Sequence, residues 1–304
     1  MKNIFHTSVT ILLCAVIALS SLSAILSNFL STTILSQDFY LGIVATPTYL
    51  AKVKDAISLE FKAQSSYTGI PEDVLVSTLD DAALHLMLRS HIASATDYLN
   101  GLAPFVKPVY PKELLTGPLL AWLDKEANAQ GAAPTQEQKD QMTAVAGDSA
   151  VIIQKQICLM DLDLIKGNAA FGSVHQMLMG VKAALLPSIL LMLASCVLLV
   201  LLNRKAWRVW LNGILVSFWV AGTMLLVPML VLKFTGLTKR FAIDTPYLKY
   251  FVDSVLTDMN LYFLLWGILL FTVTSASLAT LKWTYHPDRK GSGHLLPPSK
   301  NINI

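Results

Sequence analysis

The chain has 304 residues, of which 54% are hydrophobic and only 14% charged, against about 25% charged in an ordinary soluble domain. Its formal net charge of +3 hides two opposed parts: residues 38–182 carry a net −5 and the remainder a net +8. No basic patch is interleaved with aromatic residues, so the composition excludes a nucleic-acid partner.

The charge deficit is concentrated in four uncharged runs: Thr7 to Gln37, Ala183 to Asn203, Val209 to Leu232 and Met259 to Leu281. A helix needs about 20 apolar residues to cross the hydrocarbon core, and each run is long enough. A single Lys or Asp at a helix centre costs roughly 2.5–3.5 kcal/mol on insertion scales. Four runs free of such residues predict four transmembrane helices and a lipid bilayer as the surroundings.

The first run raises a choice between a removed signal peptide and a retained anchor. Ala18-Leu19-Ser20 and Ser21-Leu22-Ser23 both suit cleavage. The chain stays apolar beyond them through AILSNFLSTTILS, which favours a signal anchor over residues 1–37. Ser20, Ser23, Ala24, Ser27 and Ser31 recur at three- and four-residue spacing. On a helix they form a strip of small side chains, the kind of face that lets helices approach closely in lipid.

Residues 38–180 read as a helical domain. A first helix is expected from Thr46 and Pro47 to Gly69, with Leu50, Val53, Ile57 and Phe61 on one face. Pro71 opens a short segment. A longer helix is expected from about Asp80 to Asn100, closed by Gly101, with Ala82, Leu86, Ile92 and Tyr98 as core contacts. APFVKPVYP is a rigid connector, and the helix after it is interrupted near Gly117-Pro118. Thr135 and Gln138 make a capping box for a last helical section reaching about Met179. The only cysteine here is Cys158; Cys14 and Cys196 fall inside predicted spans. Helix packing, not a disulfide, must hold the domain together.

Residues 181–282 hold the other three spans, joined by a short loop at 203–208 and a longer one at 233–258. The short loop carries Arg204, Lys205 and Arg208 and no acid, which marks a cytoplasmic side. The tail 283–304 is basic and flexible in composition. With four spans, both termini then lie in the cytoplasm and residues 38–180 lie outside it. Trp207, Trp210, Trp283 and Tyr285 sit where interfacial anchors belong. Pro187 and Pro228 are expected to kink the second and third spans.

Chemistry is sparse. Asp81 and His85 are four apart and share a helix face, but with no third ligand they read as a solvated pair rather than a metal site. Asp80, Arg89 and His91 lie close by in sequence and add no recognised motif. GSGH at 291–294 belongs to the tail, and Asp161 and Asp163 diverge on a helix. No catalytic residue and no cofactor are expected. No ionisable group sits inside the spans, as an ion pathway would require.

QDFYLGIV directly after the first span, GIPEDVL at 69–75 and DYLNG at 97–101 resemble stretches of poorly characterised bacterial four-span membrane proteins. The resemblance implies an all-α protein of the cell envelope, with a helical extracytoplasmic domain inserted between the first two spans. It implies no reaction. The resulting expectation is a non-enzymatic multi-pass membrane protein whose outer helical domain binds another envelope protein, a peptide or a copy of itself. Tyr40, Tyr49, Phe61, Tyr67, Phe105, Tyr110 and Trp122 are the side chains with contact area to offer. A channel, transporter subunit or lipid-handling protein is the alternative, and an envelope enzyme the second alternative.

Overall fold

A computed structural model describes residues 2–158, 169–236 and 242–283. Among the described residues every regular element is helical. The elements are α1 (Lys2–Phe29), a π-helical turn (Leu30–Ile34), α2 (Gln37–Val44), α3 (Pro47–Thr68), α4 (Glu72–Ser77), α5 (Asp81–Leu99), α6 (Glu113–Ala129), α7 (Gln136–Ile157), α8 (Ala169–Ala183), α9 (Leu185–Leu202), α10 (Trp207–Thr235) and α11 (Pro246–Trp283).

Four helical stretches are long and apolar enough to cross a membrane: Phe5–Ile34, Leu185–Leu202, Trp207–Thr235 and Pro246–Trp283. Only 17 to 22% of each apolar window is buried within the chain. That much apolar surface left uncovered has no place in water and is what lipid would cover.

The chain divides into two compact units. One comprises residues 1–22, 189–229 and 263–304; the other comprises 23–188 and 230–262. In the first unit, α10 and α11 meet through glycines. A Cβ on Gly222 would stand 3.0 Å from the Phe271 backbone nitrogen, and one on Gly267 would stand 2.7 Å from Leu226 Cγ. Trp219 Nε1 donates to Ser275 Oγ at 3.2 Å across the same pair. Ser217 and Thr274 spend their hydroxyls on Gly213 O and Leu270 O of their own helices.

The second unit is a helical body with an apolar core. Val53, Ile57 and Phe61 of α3 are fully buried, held in register by sharp helix ends. Thr46 Oγ1 accepts from Tyr49 N, Pro47 occupies the first turn, and Gly69 closes the helix at φ 73°. α7 begins with the capping box of Thr135 and Gln138, each satisfying the other's backbone N–H. α7 meets α3 through a buried polar contact, in which Ser149 Oγ donates to Gln64 Oε1 at 3.0 Å. The connector 104–111 has no helix.

Several expectations need correcting. Ala82 and Leu86 are exposed, Leu86 at 69%. The core face of α5 is Leu84, Met87, Leu88, His91, Ile92 and Ala95. Leu86 and Ile92 are six residues apart, so they point about 120° from each other and do not share a face. α6 runs unbroken through Pro118; the backbone hydrogen bond that proline forfeits is offset by complete burial of Leu115 and Leu119 on either side. The helical section after Thr135 is described as α7 to Ile157 and again as α8 from Ala169. The segment 233–258, expected as a loop, is helical from Pro246 and delivers Tyr247 and Phe251 to the core of the body. The compact body therefore exceeds residues 38–180.

Candidate functional site

The body carries an open groove of about 530 Å³. Its two walls are helix faces. α2 begins after Ser36, whose backbone is extended, and carries Asp38 in its first turn, where the helix dipole favours an acid. It presents Phe39, Gly42 and Ile43, and Thr46, the N-cap of α3, continues the same wall. α11 begins at Pro246, a residue suited to a first helical position. It presents Tyr250, Asp253, Ser254, Thr257 and Asp258 at helical spacing. Gly42 leaves the α2 wall open, since a Cβ there would meet nothing within 4 Å.

The floor is rigid. Ile43 is 6% exposed. Tyr40 of α2 stacks on Phe251 of α11 with ring centroids 5.8 Å apart. Burial pushes the Tyr40 hydroxyl up to about 12, and burial with Tyr247 nearby raises Tyr49 further. Both therefore stay neutral near pH 7, and Tyr40 donates to Ile34 O at 2.8 Å.

The rim is polar and negative. Asp253, Thr257 and Asp258 are exposed, and no lining residue is basic. Thr257 Oγ1 donates to Asp253 O at 2.7 Å. Asp253 and Asp258 are five residues apart, roughly 140° around the helix, so they flank the groove rather than form an acid–base pair. The arrangement supplies two carboxylates and hydroxyls over an apolar floor.

Next to the groove, the π-helical turn after α1 is tied to the body. A π turn leaves carbonyls out of the normal ladder, and side chains take them up. Ile34 O receives Tyr40, and Leu35 O receives Asn100 Nδ2 at 2.9 Å. Asn100 also donates to Thr96 O at 2.9 Å and accepts from Lys182 Nζ at 2.6 Å. One amide thus joins the end of α5, the turn after α1 and α8. Asn100→Ala is expected to destabilise the chain by about 1–3 kcal/mol, because it strands a cation and a carbonyl together. Asn100→Asp keeps the Lys182 contact and loses the donor, so it should fall between wild type and Ala in a thermal melt. Equal melts for all three would remove the clasp.

The residues singled out from sequence are dispersed. Asp81 forms an ion pair with Lys54 of α3, and His85 is exposed. Asp80 caps α5 by accepting from Ala82 N at 2.9 Å. His91 is 1% exposed and lies edge-on to Phe105. Among the described residues no three His, Cys, Asp or Glu side chains come together as a metal would require. Asp161, Asp163, Tyr285 and GSGH at 291–294 lie outside the described residues.

Ser27 of the small-residue strip is fully buried and donates to Val181 O at 2.6 Å. Ser23 accepts from Ser188 Oγ at 2.8 Å. Ser20 and Ser31 bond back to Val16 O and Ser27 O, and Ala24 is half-buried. Tyr40, Tyr49, Phe61, Phe105 and Tyr110 belong to the interior, Trp122 is half-buried and Tyr67 is 70% exposed. Arg204, Lys205 and Arg208 are exposed around the α9–α10 turn.

Asp253 and Asp258 of the groove and the bridging Asn100 are not among the residues singled out from sequence. The acids of 244–258 balance nearby lysines and read as a neutral loop. Their helical spacing with Tyr250 and Thr257 was the available signal. The chain matches no protein-family model, no curated protein and no solved structure.

Proposed function

We propose that this chain is a non-enzymatic, multi-pass protein of a bacterial cell membrane, and that its helical body binds a protein partner in the α2–α11 groove. The cation-rich turn of Arg204, Lys205 and Arg208 supports cytoplasmic termini and an extracytoplasmic body. The observation that carries the reading is the groove lining: Asp253 and Asp258 stand over Phe39, Ile43 and Tyr250, with no cation of the chain's own among them. The fitting occupant is a peptide segment that sets Lys or Arg beside apolar side chains. Apolar contact gives it affinity, and the carboxylates give it orientation and rate of encounter.

The test is site-specific photo-crosslinking in intact cells, from positions 42 and 257 in the groove and from exposed position 59 on α3 as control. A discrete product from 42 and 257 that disappears in the Asp253→Asn/Asp258→Asn variant is the expected result. No product, or the same product from position 59, overturns the reading. In a cysteine-free background, Ser66→Cys should react with an impermeant thiol reagent on whole cells and Lys205→Cys only after lysis. The reverse pattern puts the groove on the wrong side for an envelope partner.

A further inference from the structure

A second concavity, of about 300 Å³, lies in the first unit around the α9–α10 turn. It is lined by His6, Leu201, Leu202, Asn203, Arg204, Lys205 and Ala206. The turn is built to hold its shape. Asn203 is 6% exposed and donates to Leu199 O at 3.1 Å. Ala206 N bonds to Asn203 O at 2.8 Å, and Val209 N to Ala206 O at 2.9 Å. His6 Nε2 donates to Leu202 O at 3.4 Å, joining α1 to the same wall.

Arg204 and Lys205 project from this turn, and among the described residues neither has an acidic partner. The C-terminal carbonyls of α9 oppose an anion here, and the N-terminus of α10 favours one. These two partial charges act against each other, so the two full cations set the sign of the site. An apolar track continues from the cavity. Leu190, Leu193, Val197 and Leu201 recur along one face of α9 and are 65, 53, 57 and 59% exposed. At the other side of the turn Trp207 is 51% exposed, with the Arg208 guanidinium 5.5 Å from its ring centroid. A tryptophan so placed suits the headgroup level of a bilayer.

We propose that the Arg204–Lys205 cavity is a binding site for the phosphate of an anionic phospholipid, whose acyl chains lie along the exposed face of α9. A phosphate diester spreads one negative charge over two non-bridging oxygens, so each cation can donate to one of them without a proton transfer. The apolar track distinguishes a lipid from a soluble phosphate ester, which has nothing to lay against Val197 and Leu201.

The experiment uses the purified full chain in a neutral detergent. Its thermal melt and its lipid adducts in native mass spectrometry are read with phosphatidylglycerol, phosphatidylcholine or soluble glycerol phosphate added. Phosphatidylglycerol is expected to stabilise the chain and remain bound, and phosphatidylcholine and glycerol phosphate to do neither. Arg204→Gln/Lys205→Gln should weaken phosphatidylglycerol about tenfold or more, since each basic residue near an anionic surface contributes on the order of 1 kcal/mol. Both side chains are exposed, so the lipid-free melt of the variant should match wild type. Arg204→Lys, which keeps the charge, should retain most of the binding and provides the comparison if the double variant melts early. Equal responses to the two lipids, an undiminished response in the double variant, or equal stabilisation by glycerol phosphate overturns the proposal.

Discussion

Phe251→Ala should be among the most damaging single truncations in the helical body, costing about 3–5 kcal/mol by the range for buried phenylalanines. The side chain is 7% exposed and comes from a segment whose sequence suggested a loop. It stacks on Tyr40 at 5.8 Å and meets Tyr49 at 6.5 Å. Its removal would widen the small void already lined by Tyr40, His91, Ile92 and Phe251. It would also undercut the floor of the groove, because the stack on Tyr40 ties the α11 wall to the α2 wall. The melt of the purified chain should fall by roughly 10 °C, taking about 2–4 °C per kcal/mol for a unit of this size. Trypsin should then cut after Lys249 faster than in wild type. Phe251→Leu keeps most of the volume and should cost less than about 1.5 kcal/mol. Leu59→Ala, at a position 71% exposed on α3, should change little. A wild-type melt for Phe251→Ala would mean that α11 is not part of the body's core.

How far the sequence led depends on how local each signal is. Thr46, Pro47 and Gly69 fix the ends of α3 with their own side chains and backbone, and Thr135 with Gln138 does the same for α7. Such ends can be read from a short stretch of sequence. The four apolar stretches are legible because lipid imposes length and the absence of charge on each helix separately. The face of α5 was not legible in the same way. Met87 and Leu88 sit beside exposed Leu86, and only the neighbouring helices decide which of these adjacent apolar residues turns inward. The groove was hidden for a stronger reason. Its walls, α2 and α11, lie near opposite ends of the chain, and each wall alone is an ordinary amphipathic helix. Asn100 is similar, since an asparagine before a glycine first reads as a helix stop. Its contacts with Leu35 and Lys182 span 65 and 82 residues, and no local pattern announces them.

The second large effect belongs to the apolar helices. Gly222→Leu should prevent α10 and α11 from meeting as they do. Even the first added carbon would stand 3.0 Å from Leu270 Cβ, 3.0 Å from Phe271 N and 3.2 Å from Gly267 O. Two of these three atoms are backbone, so no rotamer change relieves the clash and a whole helix must move. Gly267 is the more forgiving member of the pair. Its added carbon would meet Leu226 Cγ at 2.7 Å and Cδ2 at 3.0 Å, which a turn of the leucine side chain can relieve, leaving a backbone contact with Leu226 N at 3.2 Å, longer than the 3.0 Å at Gly222. Overpacking of this kind costs typically about 1–3 kcal/mol and occasionally more. Gly222→Ala should therefore lower the thermal melt in detergent more than Gly267→Ala, and Gly222→Leu most of all. Gly42→Ala, with nothing within 4 Å of the new carbon, removes the generic effect of replacing a helical glycine and should be neutral or slightly stabilising. The order matters more than the sizes. Apolar side chains gain nothing by leaving lipid for one another, so helices in a bilayer associate through the close approach that small residues permit. If Gly222→Ala melts with wild type while Gly267→Ala does not, the backbone of α11 is not the surface against which Gly222 packs.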